Sequence, residues 1–295
     1  MSQRVVEQYK NYLKFVSHYS QATIDSYLND LEVFLNEVKN QYMELSSNQI
    51  QDIFYAWSKN ISNASLARRL SAIRQFYQFL ISTNEMEVDP TLHLKVNRKD
   101  KKLPEYLTLE EVVQLTSFEL KTYDDFLDKA IIEILFSCGL RVSELITLTH
   151  SRYYKQEGFF KIIGKGAKER IVPIGTRAQH ALEDYLVKVP KKSTITVFVN
   201  IKSLPLSRQS VYNRIRKRQA QTELRKNVTP HMLRHSFASA LINNDADLRV
   251  VQELLGHEVI STTQIYTHLE SKSKKRMYDQ FHPGQLLKKG NQDNE

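Results

Sequence analysis

Apolar residues recur at helical spacing along almost all of this 295-residue chain. A chain patterned in that way can bury its apolar stripes only by packing helix on helix. Ser20-Gln21-Ala22-Thr23 opens one such segment, with Ile24, Tyr27, Leu28, Leu31, Phe34 and Leu35 in phase. Ser62-Asn63-Ala64-Ser65 opens another, with Leu66, Leu70, Ile73, Tyr77 and Leu80 on one face. Thr108-Leu109-Glu110-Glu111 reads as a helix start with its acids in the first turn, where they favour the helix dipole. A long apolar helix follows from about Asp125 to Ser137; Gly139 breaks it and Arg141 opens the next. The pattern turns to β only around Gly164-Lys165-Gly166-Ala167. There Phe159 to Ile163 and Arg170 to Pro173 form a hairpin, and Thr194 to Val199 is a candidate third strand. The fold expected is mainly α.

The helical segments of the first 95 residues end near Asp89-Pro90. Residues 96–103 hold Arg98, Lys99, Asp100, Lys101 and Lys102, a charged extended stretch suited to a linker. Two domains are expected: a helical bundle over 1–95, and over 104–295 an α-rich domain with a small antiparallel β-sheet.

Charge divides at the same place. The net charge is +9, but residues 1–95 carry 9 Lys and Arg against 10 Asp and Glu, whereas residues 96–295 carry 33 against 23. A basic domain suits a polyanion such as nucleic acid, because each neutralised phosphate releases condensed counterions. No apolar run is long enough to cross a bilayer and the first residues lack a signal-peptide core, so a cytosolic protein is expected. The single cysteine, Cys138, excludes an intramolecular disulfide and any multi-cysteine metal site. Lying among Ile131, Ile132, Ile134, Leu135 and Phe136, it reads as a small buried hydrophobe.

The chemistry gathers in the second domain. Arg141 follows Gly139 in GLRVSEL, Lys165 stands at the hairpin tip, and Thr229-Pro230-His231-Met232-Leu233-Arg234-His235 is followed by Leu255-Gly256-His257 and, nine residues later, by Tyr266. Guanidinium, ammonium, imidazole and phenol are the groups needed to attack a phosphodiester without a metal. Arginine holds phosphate oxygens bidentately and keeps its charge. Imidazole trades a proton near neutral pH, and tyrosine forms a covalent ester that splits one hard step into two. Glu144, three residues after Arg141, can pair with that guanidinium or with a neighbour and fix its orientation. His231 and Arg234 share a helix face at i, i+3, while His235 points elsewhere. The i, i+4 pair His231 and His235 lacks the glutamate of a zinc-protease helix, since Met232 stands there, so neither a metal nor another cofactor is expected. GKGAKER also lacks the spacing of a nucleotide-binding P-loop.

The strings GLRVSEL at 139–145, GKGAKER at 164–170, HMLRHSFA at 231–238, and DLRVVQELLGH at 247–257 with STTQIYTH at 261–268 resemble, in this order, the tyrosine recombinases of the phage-integrase family, and within it the Xer group. The resemblance runs from about Val6 to Gly284. It implies a helical core-binding domain that clamps DNA, then a catalytic domain. It also implies a site-specific DNA recombinase working through a 3′-phosphotyrosyl intermediate. On it, Arg141 and Arg234 clamp the scissile phosphate, Lys165 is the general acid for the leaving 5′ oxygen, and His231 and His257 contact the phosphate. Tyr266 is the nucleophile, and Glu144 matches an acidic position of the motif. By sequence alone Lys168 and Arg170 compete with Lys165; the GKG position is the one that matches. The stretch Thr149 to Tyr154 departs from the family in lacking an acid.

Arg68 and Arg74, on the polar side of the second helical segment, and Lys99, Lys101 and Lys102 in the linker are DNA-binding candidates. The partners implied are duplex DNA and a tetramer on it, either of one chain or with a paralogous recombinase, with a DNA translocase as candidate activator. The resemblance places the protein at the nucleoid, in chromosome or plasmid dimer resolution. A short amphipathic piece with Met277, Tyr278 and Phe281 resembles the family's tail that docks on a neighbouring subunit. An integrase of a mobile element, a relaxing topoisomerase of the same chemistry and a DNA-binding regulator without catalysis are the alternatives.

Overall fold

The computed structural model describes residues 3–17, 19–96, 105–164, 169–190, 194–244 and 246–256. The chain divides into two compact units, Met1–Leu103 and Pro104–Glu295. Among the described residues no helix is long and apolar enough to cross a membrane.

The first unit has four described helices, α1 (Gln3–Phe15), α2 (Gln21–Glu37), α3 (Ser47–Ser58) and α4 (Asn63–Ser82). Serine hydroxyls start three of them: Ser20 accepts from the Thr23 amide, Ser62 from that of Ser65, and Ser46 forms a reciprocal capping box with Gln49. Each such cap satisfies an amide the helix cannot and contributes about 1 kcal/mol. The faces read from the sequence turn inward. Ile24, Leu31, Phe34, Leu70, Ile73, Tyr77 and Leu80 join Tyr9, Ile50 and Phe76 in one core. Two of its buried phenols are satisfied, Tyr9 donating to the Ala72 carbonyl and Tyr77 to that of Tyr42.

The second unit is built around α6 (Tyr123–Cys138), whose residues from Ala130 to Cys138 are all buried. It starts two residues before the expected Asp125, because Thr122 caps it and Asp125 completes the capping box. It packs against α8 (Thr176–Lys188), α9 (Arg208–Gln219) and α10 (Pro230–Asn243), with α5 (Leu109–Thr116) alongside. Cys138 is fully buried. The first two turns of α6 are tied to α9 by charge: Asp128 accepts from Arg214 at 2.7 Å and from Arg218 at 2.6 Å, and Arg218 also holds Asp125 at 2.6 Å. Burial pushes the Asp128 carboxyl upward against the pull of the two arginines. Removing both arginines would leave the buried Asp128 charge uncompensated, which costs about 3–5 kcal/mol.

The sheet differs from expectation in one strand. β2 (Phe159–Ile163) and β3 (Glu169–Pro173) pair antiparallel, Phe159 opposite Pro173 and Ile163 opposite Glu169. The third strand is β1 (Tyr153–Tyr154), on the other edge of β2. Thr194 to Val199 makes only isolated bridges, Thr196 with Thr149 and Val199 with Pro205. The reason is the cross-strand aromatic pairing on β2: Tyr154 stacks on Phe159 at 4.5 Å and Tyr153 tilts against Phe160 at 5.3 Å. Such pairs are the stabilising unit of a ladder.

After α10 comes α11 (Leu248–Leu255), ended by Gly256 in the left-handed region at φ +65°. Phe237 and Leu241 of α10 pack on Val251, Leu254 and Leu255 of α11. The short α7 (Val142–Ile146) follows Gly139, whose φ of +58° ends α6.

Candidate active site: guanidiniums gathered on Glu144

Gly139 turns the chain out of α6, so that Arg141 becomes the N-cap of α7 and Glu144 lies in its first turn. The Glu144 carboxylate accepts from the Arg141 amide at 2.8 Å and from the Arg141 guanidinium at 3.0 Å. It also accepts both terminal nitrogens of Arg170, each at 2.9 Å, in a fork-on-fork pair. Arg234 lies with one nitrogen 4.0 Å from the same carboxylate. It donates instead to the Gly139 and Leu255 carbonyls.

The three guanidiniums also meet the C-terminus of α11, where carbonyls lack helical partners and the helix dipole is negative. Arg170 Nε donates to the Leu254 carbonyl at 2.9 Å, Arg234 to that of Leu255 at 2.6 Å and Arg141 to that of Gly256 at 3.5 Å. Segments far apart in the chain are thereby fixed around one point.

The electrostatics show an excess of positive charge there. Arg234 is pushed down to about 10, first by burial and then by the Arg141 charge, with Glu144 opposing and Arg170 adding to the effect. Burial alone would raise the Glu144 carboxyl. The hydrogen bonds and charge of Arg170, with the amide and guanidinium of Arg141, outweigh it and hold the carboxyl below its ordinary value. A group of oriented donors with surplus positive charge suits an anion, and one whose charge grows in a transition state most of all.

The remaining candidates fall as follows. Arg141 is the accessible member, its side chain 42% exposed against 9% for Arg234. His231 is exposed in the first turn of α10, one residue after the N1 proline. His235 points away, its ring edge-on to Tyr106 at 6.3 Å. Lys165, His257 and Tyr266 lie outside the described residues, as do Lys168, the linker with Lys99, Lys101 and Lys102, and the segment with Met277, Tyr278 and Phe281. Gly256, which precedes His257, is described and belongs to the cluster. Arg170, a competitor of Lys165 by sequence, is buried and taken up by Glu144 and Leu254.

In the first unit, Arg74 donates from one nitrogen, Nη2, to the Thr91 and Leu94 carbonyls, both at 3.0 Å. Arg68 pairs with Asp30 and Ser26 but keeps a side chain 45% exposed. Sequence reasoning passed over α9. Its Arg214 and Arg218 are turned to α6, while Arg208, Gln209, Asn213, Arg216 and Lys217 form an exposed polar and basic face. The basic run Arg214 to Arg218 was its signal, with two of its four cations structural. Among the described residues no three His, Cys, Asp or Glu side chains are grouped to hold a metal ion.

Comparison with known proteins agrees with this geometry. Residues 105–273 match the phage integrase family, and residues 6–84 match its N-terminal SAM-like domain. The chain is 38% identical to the tyrosine recombinase XerD of Oceanobacillus iheyensis, covering 96% of this chain and 99% of the relative. It is 39% identical to the tyrosine recombinase XerD of Halalkalibacterium halodurans, covering 94% and 97%. In fold it is similar to a lambda integrase dimer bound to a COC′ core site, with a TM-score of 0.71 at 15% identity over 90% of this chain and 99% of that one. The mainly helical second unit with its three-stranded sheet, the arginines gathered on Glu144 and relatives alike over nearly their whole length lead to one assignment: the chain belongs to the phage integrase family, as a tyrosine recombinase.

Proposed function

We propose that this protein is a site-specific recombinase of the Xer type, cutting and rejoining duplex DNA at the centre built around Glu144. Arg141 and Arg234 hold the non-bridging oxygens of the scissile phosphate and stabilise the charge that develops on them. The Tyr266 phenol gives up its proton and attacks phosphorus, while His231 and His257 hold the phosphate or exchange that proton. The bond from phosphorus to the 5′ oxygen breaks, and Lys165 protonates the leaving oxygen. The product is a 3′-phosphotyrosyl ester and a free 5′ hydroxyl. Attack by a 5′ hydroxyl from a second strand reverses the step and restores the phenol, so no nucleotide energy is consumed.

The observation that carries this reading is the clustered guanidiniums, with Arg234 pushed down to about 10 and oriented by backbone carbonyls rather than by a carboxylate of its own. The exposed basic face of α9 supports a duplex partner. Two duplexes with two half-sites each need four protomers. The relatives it matches are named tyrosine recombinase XerD, and the resemblance to the Xer group carried by the sequence motifs is the ground for the finer reading: assembly with a paralogous recombinase and a role in chromosome or plasmid dimer resolution, in the cytoplasm at the nucleoid.

The test is a nicked suicide duplex that traps the covalent intermediate. The wild-type chain is expected to form a protein–DNA adduct, and Tyr266→Phe to bind the same DNA and form none. An adduct at full yield in that variant refutes the assignment of the nucleophile.

A further inference from the structure

Arg170 belongs to none of the catalytic positions assigned above, yet all three of its guanidinium nitrogens are hydrogen-bonded within the cluster. Its two terminal nitrogens grip both oxygens of Glu144 and its Nε grips the Leu254 carbonyl. Its side chain is only 7% exposed. Gly256 is seated against it: a Cβ built there would lie 3.1 Å from Arg170 Nη1 and 3.2 Å from its Cδ and Cζ. The turn that leads into His257 therefore rests on this guanidinium, at a φ of +65°. Arg170 is also on β3, paired with Ile162 of β2, and follows Lys165 by five residues in the chain.

We infer that Arg170 is a positioning residue for strand cleavage: it locks the Glu144 carboxylate that orients Arg141, and through the Leu254 carbonyl it sets the α11 terminus from which the chain runs to His257. This rests on the recombinase reading above. The side chain does not itself meet the phosphate, because its bonded donors are aimed at protein oxygens in a buried place. An arginine is required, since only a planar fork can serve a carboxylate bidentately and still reach a carbonyl with Nε; a lysine ammonium can hold one of these points. Losing the fork leaves charge in place but lets Arg141 and the α11 terminus drift, and a misplacement of about 1 Å can slow a reaction about 100-fold.

The experiment uses the full-length chain, the nicked suicide duplex at saturation, and separate measurement of DNA affinity below the melting temperature. Arg170→Lys is expected to lower the first-order rate of adduct formation by about 10- to 100-fold, with the dissociation constant changed by less than about threefold. A purely structural role would lower the active fraction or the melting temperature and leave the rate of the folded protein unchanged. Glu144→Gln should show the same split between rate and affinity. Because Arg170 works mainly through Glu144, the double variant should be within about threefold of the slower single variant. Gly256→Ala crowds the same guanidinium with no charge removed, and should also slow cleavage without weakening binding; if Arg170→Lys does not fold, losses in Gly256→Ala and Glu144→Gln that fail to multiply in the double variant decide the matter. A wild-type rate in Arg170→Lys, a loss confined to affinity, or losses that multiply in the double variant would each overturn the inference. An absence of adduct with the wild-type chain would instead count against the recombinase reading.

Discussion

Replacing Gly139 with alanine should damage both the stability of the second unit and its chemistry. The residue ends α6 at a φ of +58°, a conformation that costs an alanine about 1–2 kcal/mol. The added methyl carbon would stand 2.3 Å from Cδ1 and 2.8 Å from Cε1 of Phe237. Phe237 is fully buried between α10 and α11, so its ring cannot swing into water. It must retreat by roughly 1 Å to reach ordinary contact, and overpacking of that kind costs about 1–3 kcal/mol. The expected loss is therefore about 2–5 kcal/mol. Urea unfolding followed by far-UV ellipticity measures it, and the emission of Trp57, the chain's one tryptophan, reports the first unit separately. The Gly139 carbonyl accepts from Arg234 and Arg141 is two residues on, so the rate of adduct formation should fall about 100-fold as well. Phe237→Leu in the same chain should return about 1 kcal/mol or more of the steric part, but none of the backbone part. A loss below about 1 kcal/mol, or no coupling with Phe237→Leu, would refute this account of the packing.

Cleavage should proceed unchanged in excess EDTA, because guanidiniums and a lysine supply the positive charge; loss restored only by a divalent ion would point to a metal-dependent nuclease. Neutral glutamines at Lys99, Lys101 and Lys102 should lower the salt slope of DNA affinity by up to about 0.9 for each phosphate no longer neutralised; an unchanged slope places the linker away from the DNA backbone. Glu144, held below its ordinary value, contributes stability that is present above its unfolded pKa of about 4.3 and is lost as pH falls through the folded value. The urea midpoint of wild type should thus drop on acidification more steeply than that of Glu144→Gln, and parallel curves would show that the carboxylate is not held in this way.

Much of the fold was legible because its signals are local. Ser20, Ser62 and Thr108 start the helices that their spacing announced, and Gly139 and Gly256 end theirs in the left-handed region. Arg141, Glu144 and Arg234 were legible from their motifs, and the structure brings them to one place. The third strand was not legible. Thr194 to Val199 has strand-like composition, whereas the two tyrosines of β1 owe their ladder to Phe159 and Phe160 across the turn.

What the sequence determined by itself is periodicity, caps, breaks and the order of the chemical motifs. These depend on residues within a turn or two of one another. What only the tertiary structure decided is the partner of each charge. Arg170 goes to Glu144 across 26 positions and to the Leu254 carbonyl across 84. Arg74 goes to the Thr91 and Leu94 carbonyls, and α9 divides its cations between α6 and solvent. An arginine looks the same in a sequence whether it will face a phosphate, a carboxylate or a carbonyl. The choice is made by burial: a guanidinium taken from water must find acceptors fixed in place, and only the packing of α6, β3, α10 and α11 says which acceptors are there.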